Sequence, residues 1–206
     1  MKIHKIQGDL TTEIISKIKD YCSIDCEMQG LKPDRDKLSI VSLTADDENV
    51  YIIQPNKSNY SAPNLVSVLQ DEKILKIGHY LRFDKNALEY FLKCKINNIF
   101  DTKIASKIVR TYTDMHGLKN LVQEFCNKSI DKRFGSSDWN KDLNELSNKQ
   151  LEYAANDVIF LHEIKVQLEN MLKREKRIDV FKKCISFLDT RVELDQKGFK
   201  EDIFEH

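Results

Sequence analysis

The segment Cys22-Ser23-Ile24-Asp25-Cys26-Glu27-Met28 constrains this chain more than any other. Apolar and small residues crowd it and a glycine follows at position 30, so it reads as a short buried strand. It carries two acids, Asp25 and Glu27. Residues i and i+2 of a strand project to the same face, so both carboxylates point one way out of an apolar element. Isolated charges are costly to bury, and two like charges side by side are worse. A hard divalent cation such as Mg²⁺ or Mn²⁺, which takes oxygen ligands, resolves the conflict. A strand end with both acids in water resolves it too. The segment alone does not choose.

With 206 residues, the chain is expected to form one domain, or a domain with a short appendage. Hydrophobic content of 41% and charged content of 32% give apolar mass for one core. No apolar run is long enough to span a bilayer and no signal-peptide pattern follows Met1, so the expectation is a cytoplasmic protein with no membrane association. Cys22, Cys26, Cys94, Cys126 and Cys184 are odd in number and lack CxxC spacing, which reads as reduced thiols, mostly core residues. Zero formal net charge neither supports nor opposes nucleic-acid binding, so any basic footprint has to be local.

Along the chain, residues 1–8 read as a first edge strand and 11–19 as a short helix capped by Thr11 or Thr12. After a turn at 30–36, residues 38–44 and 50–53 read as strands around a second turn at 46–49, making an antiparallel meander with the acidic strand. Strand and helix then alternate: helix 63–69, strand 74–78, helix 83–92, strand 99–100, helix 102–109. That alternation predicts parallel additions to the sheet. Beyond Gly117 the chain reads as helical at 118–125, 147–172 and 177–196, with Gly198 as a stop. No repeat or Pro/Gly-rich linker interrupts it, which favours a single domain over 1–206, its last helix packing on the core or on a second subunit.

Two further acids join the pair. Asp84 lies where the strand ending at Gly78 passes into a helix, the kind of strand end where α/β sheets collect ligands. The plainer reading is an acid in a first helical turn, favoured by the helix dipole. Tyr153 and Asp157 are four apart and share one face of a helix that Ser147 can cap, with Gln150 at the third position of a capping box. Ala154 and Ala155 let that helix lie close to the sheet. Four convergent acids match a two-metal phosphodiesterase site, in which ions about 3.5–4 Å apart stabilise the attacking and leaving oxygens.

These motifs resemble the ribonuclease D-like 3′–5′ exonucleases of the Asp-Glu-Asp-Asp group. The likeness rests on Asp25-x-Glu27, on His79-Tyr80-Leu81-Arg82-Phe83-Asp84, and on Tyr153-x-x-x-Asp157, which is the tyrosine variant of the group. The sister variant has a histidine where this chain has Glu152. Phe100-Asp101-Thr102, His116-Gly117-Leu118 and Ser137-Asp138-Trp139 are similar to that family's connecting segments. Two departures stand out: many relatives carry Asn where this chain has Tyr80, and longer relatives continue into helical RNA-binding domains. The chain resembles the short bacterial form. The resemblance implies a ribonuclease H-like α/β core, a mixed five-stranded sheet flanked by helices with a helical C-terminal third. It implies two divalent ions held by Asp25, Glu27, Asp84 and Asp157, and water oriented by Tyr153.

The function so implied is metal-dependent hydrolysis of RNA from its 3′ end to nucleoside 5′-monophosphates, in 3′ processing or turnover of tRNA or another small RNA. The expected partner is single-stranded or 3′-unpaired RNA, or DNA. Rivals are a DNA exonuclease, a catalytically silent nucleic-acid-binding module, and a phosphodiesterase of very short oligonucleotides. Substrate-contact candidates follow, each with a plainer alternative. Lys103, Lys107 and Arg110 form a cationic stripe that tracks phosphates, or an ordinary solvated helix face. His79 and Arg82 sit beside Asp84; His79 also fits as a packed strand-end residue. Trp139 stacks on a base or packs beneath its loop, and Met28 lines the terminal-nucleotide pocket or fills core.

Overall fold

The acidic segment forms β2 (Tyr21–Met28), an interior strand of a six-stranded sheet. The computed structural model describes residues 1–30, 32–46, 48–131, 133–199 and 203; residues 31 and 47, inside the two expected turns, lie outside them. In chain order the elements are β1 (Lys2–Gln7), α1 (Thr12–Lys17), β2, β3 (Leu38–Thr44), β4 (Asn49–Gln54), α2 (Pro63–Gln70), β5 (Leu75–Gly78) and α3 (Arg82–Leu92). They continue as β6 (Ile99–Asp101), α4 (Thr102–Val109), α5 (Leu118–Cys126), α6 (Asn148–Ile159), α7 (Leu161–Arg174) and α8 (Ile178–Gln196).

The sheet order is β1-β4-β3-β2-β5-β6. β2 pairs antiparallel with β3 and parallel with β5, so it stands where the meander meets the parallel half. Such a switch of strand direction opens a crevice for ligands. The expected five strands become six. β1 pairs in parallel with β4 along its whole length, from Lys2 opposite Asn49 to Gln7 opposite Gln54, and forms the outer edge. The expected helix over 147–172 is two helices, with Phe160 between them at φ −95° and ψ −7°. The bend lets α6 cross β2, β3 and β4 while α7 packs on α4 and α5.

Each face of the sheet has its own core. Ile24, Val41 and Leu43 pack with Leu65, Leu81 and Leu88 from the α1–α3 side. Ile40, Ile52 and Ile77 pack with Ala154, Ala155, Val158 and Leu161 from the α4–α7 side. α8 closes the β6 edge, giving Phe181 to one core and Leu188 to the other. Gly198, at φ 88°, follows its end in the left-handed conformation that glycine adopts without cost.

Candidate active site

β2 alternates its faces as a strand must: Cys22 and Ile24 enter the α1–α3 core, while Asp25 and Glu27 turn to α6. A ligand oxygen from each of Asp25, Glu27 and Asp157 lies within 4.8 Å of the other two. The register shift between Glu27 and Met28 ends the regular ladder at the mouth of the site, as bulges near active sites do. Asp157 is delivered by a helix with a complete capping box. The Ser147 hydroxyl accepts from Gln150 N at 3.3 Å, and Gln150 Oε1 accepts from Ser147 N at 3.2 Å. Ala154 and Ala155, fully buried, set that helix close against β2–β4.

Asp84 arrives from the opposite flank and is not among the three converging acids. Its Oδ1 accepts the backbone N–H of Cys26 at 2.8 Å, which ties α3 to the strand between the two acids. Burial pushes the Asp84 carboxyl up to about 6, against the lowering by the Cys26 N–H and thiol. Burial, then the nearby Asp84 and Asp25, pushes the Cys26 thiol well up, so it stays a neutral donor. Gly78 makes the approach of α3 possible: a Cβ there would sit 2.2 Å from the Leu81 side chain and 3.2 Å from the Ile24 carbonyl oxygen.

A cavity of about 570 Å³ opens over this region, lined by Cys26, Glu27, Met28, Phe83, Asp84 and the loop Gly135–Asp138. Gln29 Nε2 donates to Asp138 Oδ1 at 2.9 Å and Gln150 Nε2 donates to the Asp138 carbonyl at 3.0 Å, so the loop is held from two sides. Trp139 is 1% exposed, its ring centroid 6.1 Å from that of Tyr153. It packs beneath the loop and backs Tyr153, and is not available to stack on a base. Burial, followed by the charges of Asp157, Glu27 and Asp25, pushes the Tyr153 phenol far above its ordinary range.

The remaining candidates separate. Met28 is half-buried in the cavity wall. His79 Nδ1 lies 2.9 Å from Thr102 Oγ1, which itself donates to the Gly78 carbonyl. Arg82 makes a two-pronged pair with Asp195 on α8, at 2.7 and 2.6 Å, so its guanidinium braces two helices. Burial works to raise the Asp195 carboxyl, and the Arg82 and Arg191 hydrogen bonds outweigh it and hold it low. The cationic stripe breaks up. Lys107 is exposed, whereas Lys103 lies 3.9 Å from the Tyr80 ring centroid. Arg110 is 1% exposed, past the end of α4, and donates to Glu124, Ser106 and the Met115 carbonyl. α4 stops at Val109, so the seventh position of the stripe turns inward.

Three positions were given no role from the sequence, although Asp101 and Asp138 stand in segments similar to the family's. Asp101 is wholly buried and accepts four backbone N–H groups, from Tyr80, Leu81, Lys103 and Ile104. Burial raises its carboxyl against those four bonds. It fixes the turn carrying Tyr80, at φ 66°, into α3. A tyrosine in the left-handed region is strained by about 1–3 kcal/mol, a cost found at functional sites. The signal for Asp101 was its N-cap position before an apolar helix. Gln29 and Asp138 are polar residues in loops, whose pairing across the site no local pattern announces.

The mixed sheet flanked by helices is a ribonuclease H-like fold, and its inner strand offers two carboxylates to a third on a crossing helix. The chain belongs to the 3′–5′ exonuclease family: residues 6–173 match the family's domain, described as a 3′–5′ exonuclease. It is 34% identical over 154 residues to DNA polymerase I of Aquifex aeolicus, covering 74% of this chain and 24% of that protein. It is 29% identical over 170 residues to ribonuclease D of Gluconacetobacter diazotrophicus, covering 82% and 42%. The chain thus spans less than half the length of these curated relatives. Brucella melitensis NrnC with bound Mg²⁺ superposes with a TM-score of 0.92 at 42% identity, over 100% of both chains. NrnC has also been solved bound to pGG, at a TM-score of 0.93 and 42% identity, over 100% of this chain and 99% of that one.

Proposed function

We propose that this chain, residues 1–206 acting as a single exonuclease domain, is a metal-dependent 3′–5′ exoribonuclease that releases nucleoside 5′-monophosphates. The observation that carries the reading is the convergence of Asp25, Glu27 and Asp157 oxygens within 4.8 Å, beside a cavity that Asp84 lines. An all-carboxylate donor set suits hard divalent cations such as Mg²⁺ and Mn²⁺. Asp25, Glu27 and Asp157 would hold one ion, and Asp25 with Asp84 a second. When bound, such ions supply Lewis-acid polarisation of the phosphate and neutralise charge on the attacking and leaving oxygens.

The protein's own groups do the rest. Tyr153 keeps its proton at neutral pH, so its hydroxyl orients the attacking water and does not serve as base. Water oxygen joins the phosphorus and gives up its proton to solvent, the P–O3′ bond breaks, and the departing 3′ oxygen takes a proton from solvent. Met28 and the loop Gly135–Asp138 wall the cavity on the terminal nucleotide. The substrate is a single-stranded or 3′-unpaired RNA, consistent with the curated ribonuclease D relatives. A second reading, very short oligonucleotides, is favoured by the structure of NrnC bound to pGG.

A time course on matched RNA and DNA oligonucleotides of two to twenty residues, with and without Mn²⁺, tests both readings. Stepwise loss of 5′-monophosphates from RNA that stops with chelator is the expected outcome. Asp84→Asn and Asp157→Asn should each lower turnover by at least about 10²–10³-fold, the scale for losing one electrostatic stabiliser. Near-native turnover of Asp84→Asn would sink the assignment.

A further inference from the structure

Three serines bury hydroxyls that have no hydrogen-bond partner among the described residues: Ser23, Ser39 and Ser42, at 1%, 0% and 0% exposure. A buried, unpaired hydroxyl carries a desolvation cost, and in a native protein it calls for a reason. Small size is one reason. β3 runs beneath α6, where Ala154 and Ala155 bring the helix close to the sheet. Alanine would meet that need equally well and bury no polar group.

The strand register separates the three. Ser42 stands directly opposite Asp25 in the β2–β3 ladder, whereas Ser23 stands opposite Thr44 and Ser39 falls where the register shifts. Side chains directly opposite share a face, with Cβ atoms about 4.5–5.5 Å apart, a span that a serine-to-carboxylate hydrogen bond can close. That face is the one turned to α6: Ile40, two residues before Ser42, belongs to the same core as Ala154 and Ala155. Asp25 is the acid shared by both proposed ions, so its orientation governs both. A carboxylate has lone pairs on two oxygens, enough to hold ions and still accept from a hydroxyl.

We propose that Ser42 is a positioning residue for Asp25, its hydroxyl donating to the Asp25 carboxylate in the ion-loaded protein. The inference rests on the exonuclease reading and deepens it by one residue that orients a metal ligand. A hydroxyl that costs stability in the ion-free protein then contributes to ion binding, so the two quantities should move in opposite directions when it is removed.

Mn²⁺ binding to the ion-free protein, followed by calorimetry without substrate, reads this apart from turnover. Ser42→Ala should weaken Mn²⁺ binding about 10–100-fold, the scale for removing a group that orients a metal ligand, while the ion-free melting temperature holds or rises. Ser23→Ala deletes an equally buried hydroxyl on the same face and should leave Mn²⁺ binding unchanged. Unchanged Mn²⁺ binding in Ser42→Ala overturns the role of Ser42 and leaves the exonuclease reading standing. So does an equal loss in both variants, or a loss of affinity together with a lower ion-free melting temperature, which makes Ser42 a packing residue. An unmodified protein that binds no Mn²⁺ and releases no 5′-monophosphates overturns the exonuclease reading, and the role of Ser42 with it.

Discussion

Asp157 and Asp84 reach the candidate site from opposite flanks, and they are held there by different physics. α6 carries Asp157 on small apolar residues: Ala154, Ala155 and Val158 are fully buried against the sheet. α3 carries Asp84 on Ala87 and Leu88, equally buried, and adds polar contacts. Lys85 pairs with Glu89 and with Asp189 of α8, Arg82 with Asp195, and Asn86 with Gln196. Asp101 and the Cys26 N–H hold its first turn. The lesson is that one carboxylate is placed by volume and the other by volume together with buried charge. Changes of size should injure the first, and changes of charge or pH the second.

The buried Lys85–Glu89 pair is the place to break the charge-held flank. Both side chains are nearly inaccessible, at 2% and 3%. Lys85→Ala leaves the buried Glu89 carboxylate with the exposed Lys95 and the Ile96 N–H, and should cost about 3–5 kcal/mol in urea denaturation. A Lys85→Met, Glu89→Leu double variant should recover most of that, because two buried charges are replaced by matched apolar volume. A double variant as unstable as the single would show that the pair contributes more than mutual neutralisation.

Asp101→Asn probes the same flank nearer the chemistry. An amide oxygen cannot accept all four N–H groups, and the turn before Asp84 should loosen. We expect activity to fall about 10–100-fold, the scale for a group that orients a metal ligand, with half-activation moved to higher Mn²⁺. A lower melting temperature with an unchanged Mn²⁺ titration would make Asp101 a residue of the fold alone.

On the volume-held flank, Ala155→Leu should cost about 1–3 kcal/mol through overpacking. It should also lower kcat, because α6 can relieve the clash only by moving Asp157. Loss of stability with full kcat would show that the sheet, not the helix, gives way.

The smallest effect concerns Lys76, on the strand leading into α3. Its amine is buried and donates to the carbonyls of Asp71 and Ile74, and burial lowers it from 10.5 to about 8. The folded protein therefore binds fewer protons than the unfolded chain between about pH 8 and 10.5. Stability should rise with pH through that window, by on the order of 1 kcal/mol. Lys76→Met should remove that contribution; an identical pH profile in the variant would exclude Lys76 as its source.

Much of the fold was legible because the period of each segment announced its state. The alternation around Asp25 and the i, i+4 spacing of Tyr153 and Asp157 are local facts, as is the capping box at Ser147. The break at Phe160 was not legible, since residues 147–172 keep one helical pattern and only the layers beneath them differ. Nor was the parallel pairing of β1 with β4, which joins residues far apart in the chain.

The sequence by itself determined which residues are candidates for the chemistry: acids paired at strand spacing, a third at a strand end, and a fourth one helical turn from a tyrosine. Only the tertiary structure decided which polar side chains are free to use. Arg82 and Arg110 look alike as basic residues in helical patterns, yet both are claimed by partners, Asp195 and Glu124, that lie 113 and 14 residues away. A charge can be assigned to function only after its neighbours in space have taken their share, because electrostatic and hydrogen-bond energies depend on distance and burial and not on position in the chain.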